Sequence, residues 1–106
     1  MLDERGEAEG VVTLTLGGEL DLAAAPLLRE RIDAAGESPL VLDLTEVTFV
    51  DSSILRELLR ARERRELVLA GVPMALRRLL ELTRTAELFV EADDAGAARA
   101  RLADRR

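Results

Sequence analysis

The sequence has no cysteine, no histidine and no tryptophan or tyrosine, and all fifteen of its basic residues are arginine. Without cysteine there can be no disulfide, thiolate metal site or thiol nucleophile. Without histidine the commonest general base and metal ligand are gone, and with them any Ser-His-Asp arrangement. Without lysine there is no Schiff base and no P-loop cation, and no glycine-rich phosphate loop is present either. Aromatic residues make up 2% of the chain. That leaves no platform on which single-stranded nucleic acid could stack its bases. The net charge of −6 would repel a phosphate backbone, so nucleic acid is not an expected partner. Long apolar runs are also lacking. None approaches the ~20 residues of a spanning helix, and the acidic start, Met1 to Gly10, does not read as a signal peptide. These features predict a cytoplasmic protein without direct membrane insertion. No cofactor is called for, and the chemistry excluded so far argues against an enzyme.

What is present is a chain of 106 residues, 48% hydrophobic and 34% charged. That is one domain's length and a folded domain's balance. Residues 1–10 read as a flexible acidic lead-in to a single domain over 11–106. Val12, Leu14 and Leu16 alternate with Thr13 and Thr15, which predicts a half-buried strand. Gly17-Gly18 reads as a hairpin turn, with Glu19 to Asp21 returning as a short second strand. Ala24, Leu28, Ile32 and Ala35 recur at helical spacing, with Pro26 in the first turn and Gly36 as a stop.

Leu40 to Leu44 is the next strand, with Leu40, Leu42 and Leu44 on one face and Val41 and Asp43 on the other. Thr45 to Val50 reads as a connector in which Val47 and Phe49 plug the core. A helix from Asp51 to about Arg65 carries Ile54, Leu55, Leu58, Leu59 and Ala61 on its apolar side. Arg56, Glu57, Arg60, Glu63 and Arg64 form its polar side. A strand over Glu66–Ala70 follows, then Gly71 and Pro73, a helix with Leu76, Leu79 and Leu80, a short strand Leu88–Val90 and a last helix from Ala95. The order β-β-α-β-α-β-α-β-α predicts an α/β fold, a mixed sheet with largely parallel crossovers. Asp43 and Glu66 interrupt strands that would read as unbroken apolar runs if both faces were buried. The helices are therefore expected mainly on one face of the sheet.

Two of the three serines are adjacent, in Asp51-Ser52-Ser53 at a strand-to-helix junction. Asp and Ser are preferred N-caps, so capping alone accounts for them. Nothing in the chain could activate Ser52 or Ser53 as a nucleophile. Asp21 precedes the first helix, where capping again suffices. If both strands feed their helices from one edge of the sheet, that edge gathers Asp21, Asp51, two hydroxyls and two helix N-termini. Paired carboxylates could serve glycoside hydrolysis or a metal ion, but so small a domain offers no evident substrate cleft.

Gly18-Glu-Leu-Asp21, Val41-Leu-Asp-Leu44 and Val47-Thr-Phe-Val-Asp-Ser-Ser53 resemble a STAS domain, and within that family the bacterial anti-sigma factor antagonists. The strand ending at Gly71, Pro73 and Leu79-Leu-Glu-Leu-Thr83 extend the likeness over about residues 10–105. The resemblance implies a protein without catalytic residues that binds an anti-sigma factor, itself a serine kinase. Its unphosphorylated form holds the anti-sigma factor and frees the sigma factor, and phosphorylation of Ser52 releases it. The matching positions for partner binding are Asp21, Asp51, Ser52 and Ser53. The pattern departs at Ile54, where family members usually carry glycine, so Ile54 enters the expected partner surface. It is expected in ordinary helical geometry with a partly exposed side chain. The alternative is a non-switching STAS protein, either a scaffold subunit of a signalling assembly or the STAS component of a membrane lipid transporter. The sequence leaves the oligomeric state open.

Overall fold

A computed structural model describes residues 1–103. Its element order is β1 (Leu2–Ala8), β2 (Val11–Leu20), α1 (Ala25–Ala34), β3 (Leu40–Val50), α2 (Ser52–Arg64), β4 (Leu67–Ala70), α3 (Met74–Leu82), β5 (Val90–Ala92) and α4 (Ala95–Ala103). The five strands form one sheet in sequential order. β1 runs antiparallel to β2, and β2 through β5 are parallel. The succession of strands and helices is the expected one. The last three residues of the expected 11–106 domain lie outside the described residues.

Sequential strand order and a constant crossover hand place every crossover helix on the same face. Leu28 and Ile32 of α1, Ile54, Leu55 and Leu58 of α2, and Leu76 and Leu80 of α3 join Leu14, Leu16, Leu40, Leu42 and Leu69 in one core. α4 follows the last strand and is not a crossover, so it is free to take the other face. There Ala98 and Leu102 pack on Val11, Val41, Val68 and Ala70.

The N-terminal boundary is corrected by the structure. Residues 2–8 of the expected flexible lead-in form the edge strand β1, tied to α1 by Arg31 Nε donating to Asp3 Oδ2 at 2.6 Å. Its charged residues suit an edge that must not recruit further strands. The hairpin lies at Glu9-Gly10, not at Gly17-Gly18. Both of its residues have positive φ, 54° and 76°, in a two-residue loop closed by the pair Ala8↔Val11. That is the geometry matching the twist of the flanking strands. Gly18, at φ 78°, instead absorbs a register shift inside one long strand, β2. The expected connector Thr45–Val50 is likewise the second half of β3, held by pairing with β2 as far as Leu20↔Val50.

Val47 is a core residue as expected, but Phe49 is not. It is 47% exposed, because it precedes buried Val50 in an extended strand and so points the other way. The last strand starts later than expected. Residues 86–88 form one 3-10 turn that seats Phe89 in the core, and pairing to β4 begins at Val90.

Two buried charges sit between α1 and α2, one of them, Glu57, on the polar side of α2. Glu57 lies between Arg29 and Arg60 at 3.8 and 3.9 Å. Arg65 donates to the carbonyl of Ile32 at 3.0 Å, a second bond to an oxygen that already accepts from the Ala35 N–H at the end of α1. Burial pushes the Arg65 guanidinium below its ordinary value.

Candidate functional site

The parallel strands β2 and β3 end together. Leu20 pairs with Val50, and the Asp51 N–H donates to the Leu20 carbonyl at 3.2 Å. Each strand's next residue is an aspartate, so the register brings Asp21 and Asp51 to one edge, as expected. Each caps its own helix entry. Asp21 Oδ1 accepts from the Ala24 N–H at 3.2 Å, ahead of α1. Asp51, in extended geometry, is the N-cap of α2 and accepts from the Ser53 N–H at 3.0 Å. Among the described residues no group of three or more acidic side chains could hold a metal ion.

The two serines differ in what they do. The Ser53 hydroxyl donates to Asp51 Oδ1 through a short hydrogen bond. It is half-buried and committed to the cap. Ser52 is the first residue of α2, is exposed, and its hydroxyl has no hydrogen-bond partner among the described residues. The Asp51 carboxyl is held below its usual range, first by the Ser53 hydroxyl and then by backbone N–H groups of Ser53, Ile54 and Leu22, against the opposing effect of burial. The Leu22 contact ties the α2 cap to the lead-in of α1. Asp51 therefore remains an anion at neutral pH next to the free Ser52 hydroxyl, at a helix end whose dipole favours negative charge.

Ile54 is helical, as expected, but its side chain is 1% exposed, not partly exposed. It stands three residues past the cap and turns inward with Leu55 and Leu58 to cover the strands. Ile54 thus supports the edge from beneath. Sequence reasoning missed Leu22, whose backbone helps hold the Asp51 carboxyl below its usual range. Only the β2–β3 register reveals it.

A family model described as "Mlab, STAS domain" matches residues 4–91. The chain belongs to the STAS domain family. This STAS domain is similar in structure to an anti-sigma factor antagonist from Mycobacterium paratuberculosis. The two are 27% identical over 95% of this chain and 92% of that one, with a TM-score of 0.84. The Bacillus cell fate determinant SpoIIAA, in its phosphorylated form, is 18% identical over 93% and 98%, with a TM-score of 0.71. A sulfate transporter family protein from Wolinella succinogenes is 23% identical over 92% and 89%, with a TM-score of 0.68. The last two similarities concern the fold alone. No curated protein matches the sequence.

Proposed function

We propose that this STAS domain is an anti-sigma factor antagonist. It binds an anti-sigma factor serine kinase through the edge formed by Asp21, Asp51, Ser52 and Ser53, with Ile54 holding that edge in place from the core. Phosphorylation of Ser52 switches the binding off. The observation that carries this reading is the contrast between the two serines. Ser53 is engaged by Asp51, while Ser52 presents an exposed, unpartnered hydroxyl at the start of α2.

In the switching step the Ser52 oxygen attacks the γ-phosphorus of ATP. The Ser–O–P bond forms, the bond to the β-phosphate oxygen breaks, ADP leaves and the hydroxyl proton is released. The phosphoserine adds about −1.5 to −2 charge at pH 7. The helix end accommodates that charge, but it stands beside Asp51 and faces whatever surface the partner presents. The similarity to the antagonist from Mycobacterium paratuberculosis supports the partner class.

The test uses the purified chain, ATP and a purified anti-sigma factor kinase from the same organism. Mass spectrometry should find one phosphate, on Ser52, and none in Ser52→Ala. Ser52→Ala should bind the kinase as the wild type does, and Ser52→Asp should bind at least tenfold more weakly, about 1.4 kcal/mol. Equal binding by the wild type and Ser52→Asp would overturn the switch. The alternative, a non-switching STAS subunit of a signalling assembly or a membrane lipid transporter, draws on the similarity to a sulfate transporter family protein. It predicts an unmodified Ser52 under the same conditions.

A further inference from the structure

The β2–β3 ribbon outruns the rest of the sheet. β3 pairs with β4 only as far as Asp43↔Ala70 but with β2 as far as Val50. β1 pairs with β2 only as far as Leu2↔Gly17, so from Gly18 and Val47 onward the ribbon has no third strand among the described residues. Val50 turns to the helix side and is buried, so Phe49 points to the opposite side. Among the described residues α4 is the only helix on that side, and its apolar partner in β3 is Val41, near the other end of the strand. Phe49 is thus left bare. The chain has two phenylalanines. One, Phe89, is buried in the core, while the other is 47% exposed two residues before Asp51. Leu22 is 72% exposed and directly follows Asp21 at the end of β2. Two large apolar side chains therefore bracket the Asp51-Ser52 edge without serving the core.

We propose that Phe49 and Leu22 are the apolar anchors of the partner surface, and that the partner receives them in an apolar socket rimmed by basic side chains. This rests on the antagonist reading above. Isolated aromatic side chains at the centre of an interface supply much of its binding energy once water is excluded around them. The charges nearby select the occupant. Glu19, which pairs with Phe49 in the register, and Glu46 are exposed, and Asp21 and Asp51 stand at the strand ends. A two-fold contact between copies of this chain would set these four carboxylates against themselves. An anionic membrane would meet the same repulsion. A protein surface with arginine or lysine around an apolar pocket meets none.

The division of labour makes the test specific, because apolar anchors act on dissociation and exposed charges on association. With a purified anti-sigma factor kinase from the same organism immobilised on a biosensor, Phe49→Ala should bind at least tenfold more weakly, through faster dissociation. Leu22→Ala should lose several-fold in the same way, and Phe49→Tyr should retain binding. Asp21→Asn should slow association and leave dissociation nearly unchanged. Thermal melts of Phe49→Ala and Leu22→Ala should match the wild type, since neither side chain is in the core. If the wild type binds and Phe49→Ala binds equally well, the anchors are overturned and the antagonist reading stands. If the wild type does not bind, both fall. A wild-type dimer in light scattering that Phe49→Ala converts to monomer would make this surface a self-contact and overturn the proposal.

Discussion

The two faces of the sheet are built from the same strands and carry different loads. On the three-helix face β2, β3 and β4 contribute large aliphatic side chains, and Leu14, Leu16, Leu40, Leu42 and Leu69 meet leucine and isoleucine from α1, α2 and α3. On the α4 face the strands offer Val11, Val41, Val68 and Ala70, and the helix answers with Ala98 and Leu102. This face also holds the buried Thr13 hydroxyl, which has no partner among the described residues, and beside it an open concavity lined by Glu4, Gly6, Thr15 and Arg99. The difference shows where the fold's stability is concentrated. One face supplies most of the apolar burial and so can hold the Asp51-Ser52 edge rigidly. The other is thin enough that β1 and the end of the β2–β3 ribbon stand uncovered.

The contrast can be broken most forcefully at Ile54. Ile54→Gly removes a fully buried side chain and adds a glycine to the first turns of α2. It should lower stability by about 3–5 kcal/mol in chemical denaturation. A loss below about 1 kcal/mol would show that Ile54 does not support the three-helix core. Leu102→Ala makes a comparable truncation on the α4 face. With small neighbours around it, its cost should be nearer 2 kcal/mol. Equal losses at the two positions would erase the distinction between the faces. Thr13→Val should run the other way. The isosteric change removes an unsatisfied buried hydroxyl and should stabilise by about 1 kcal/mol. A destabilised variant would mean that the hydroxyl does have a partner.

The smallest effect concerns the edge that both faces share. The Asp51 carboxyl titrates below its ordinary value of 3.8, so its contribution is present above that pH and is lost as the pH falls through its lower folded value. Acid unfolding of the wild type should therefore steepen below about pH 3.8, and Asp51→Asn should show less of that steepening. Superimposable acid profiles would remove Asp51 from the capping network.

Much of this architecture was legible in the residues. The alternation of Leu40, Leu42 and Leu44 with Val41 and Asp43 assigned both faces of β3. The spacing of Ile54, Leu55, Leu58 and Ala61 assigned the buried side of α2. The Asp-Ser-Ser cluster marked the helix entry that became the candidate site. The errors share one cause, which is that local turn signals do not say whether a neighbouring strand will hold the chain straight. Gly17-Gly18 could turn, but pairing with β3 kept β2 extended and made Gly18 a bulge. Glu9-Gly10 carried the weaker signal and made the turn, because Asp3, Arg5 and Glu7 could pair along the edge of β2. Thr45–Val50 had no pattern of its own and became a strand by the same pairing. Phe49 reads as core in the sequence because its hydrophobicity is visible there and its direction is not.

By itself the sequence determined where the helices form, which side of each is apolar and which chemistries are unavailable, because those follow from residue type and spacing along the chain. Only the tertiary structure decided that Asp21 and Asp51 stand at one edge, that Ser53 is engaged while Ser52 is free, that Ile54 is covered and Phe49 is bare. All but the Ser53–Asp51 bond, which is local, depend on strand register and on which helix covers which face. Those are set by contacts between residues tens of positions apart, which no local pattern encodes.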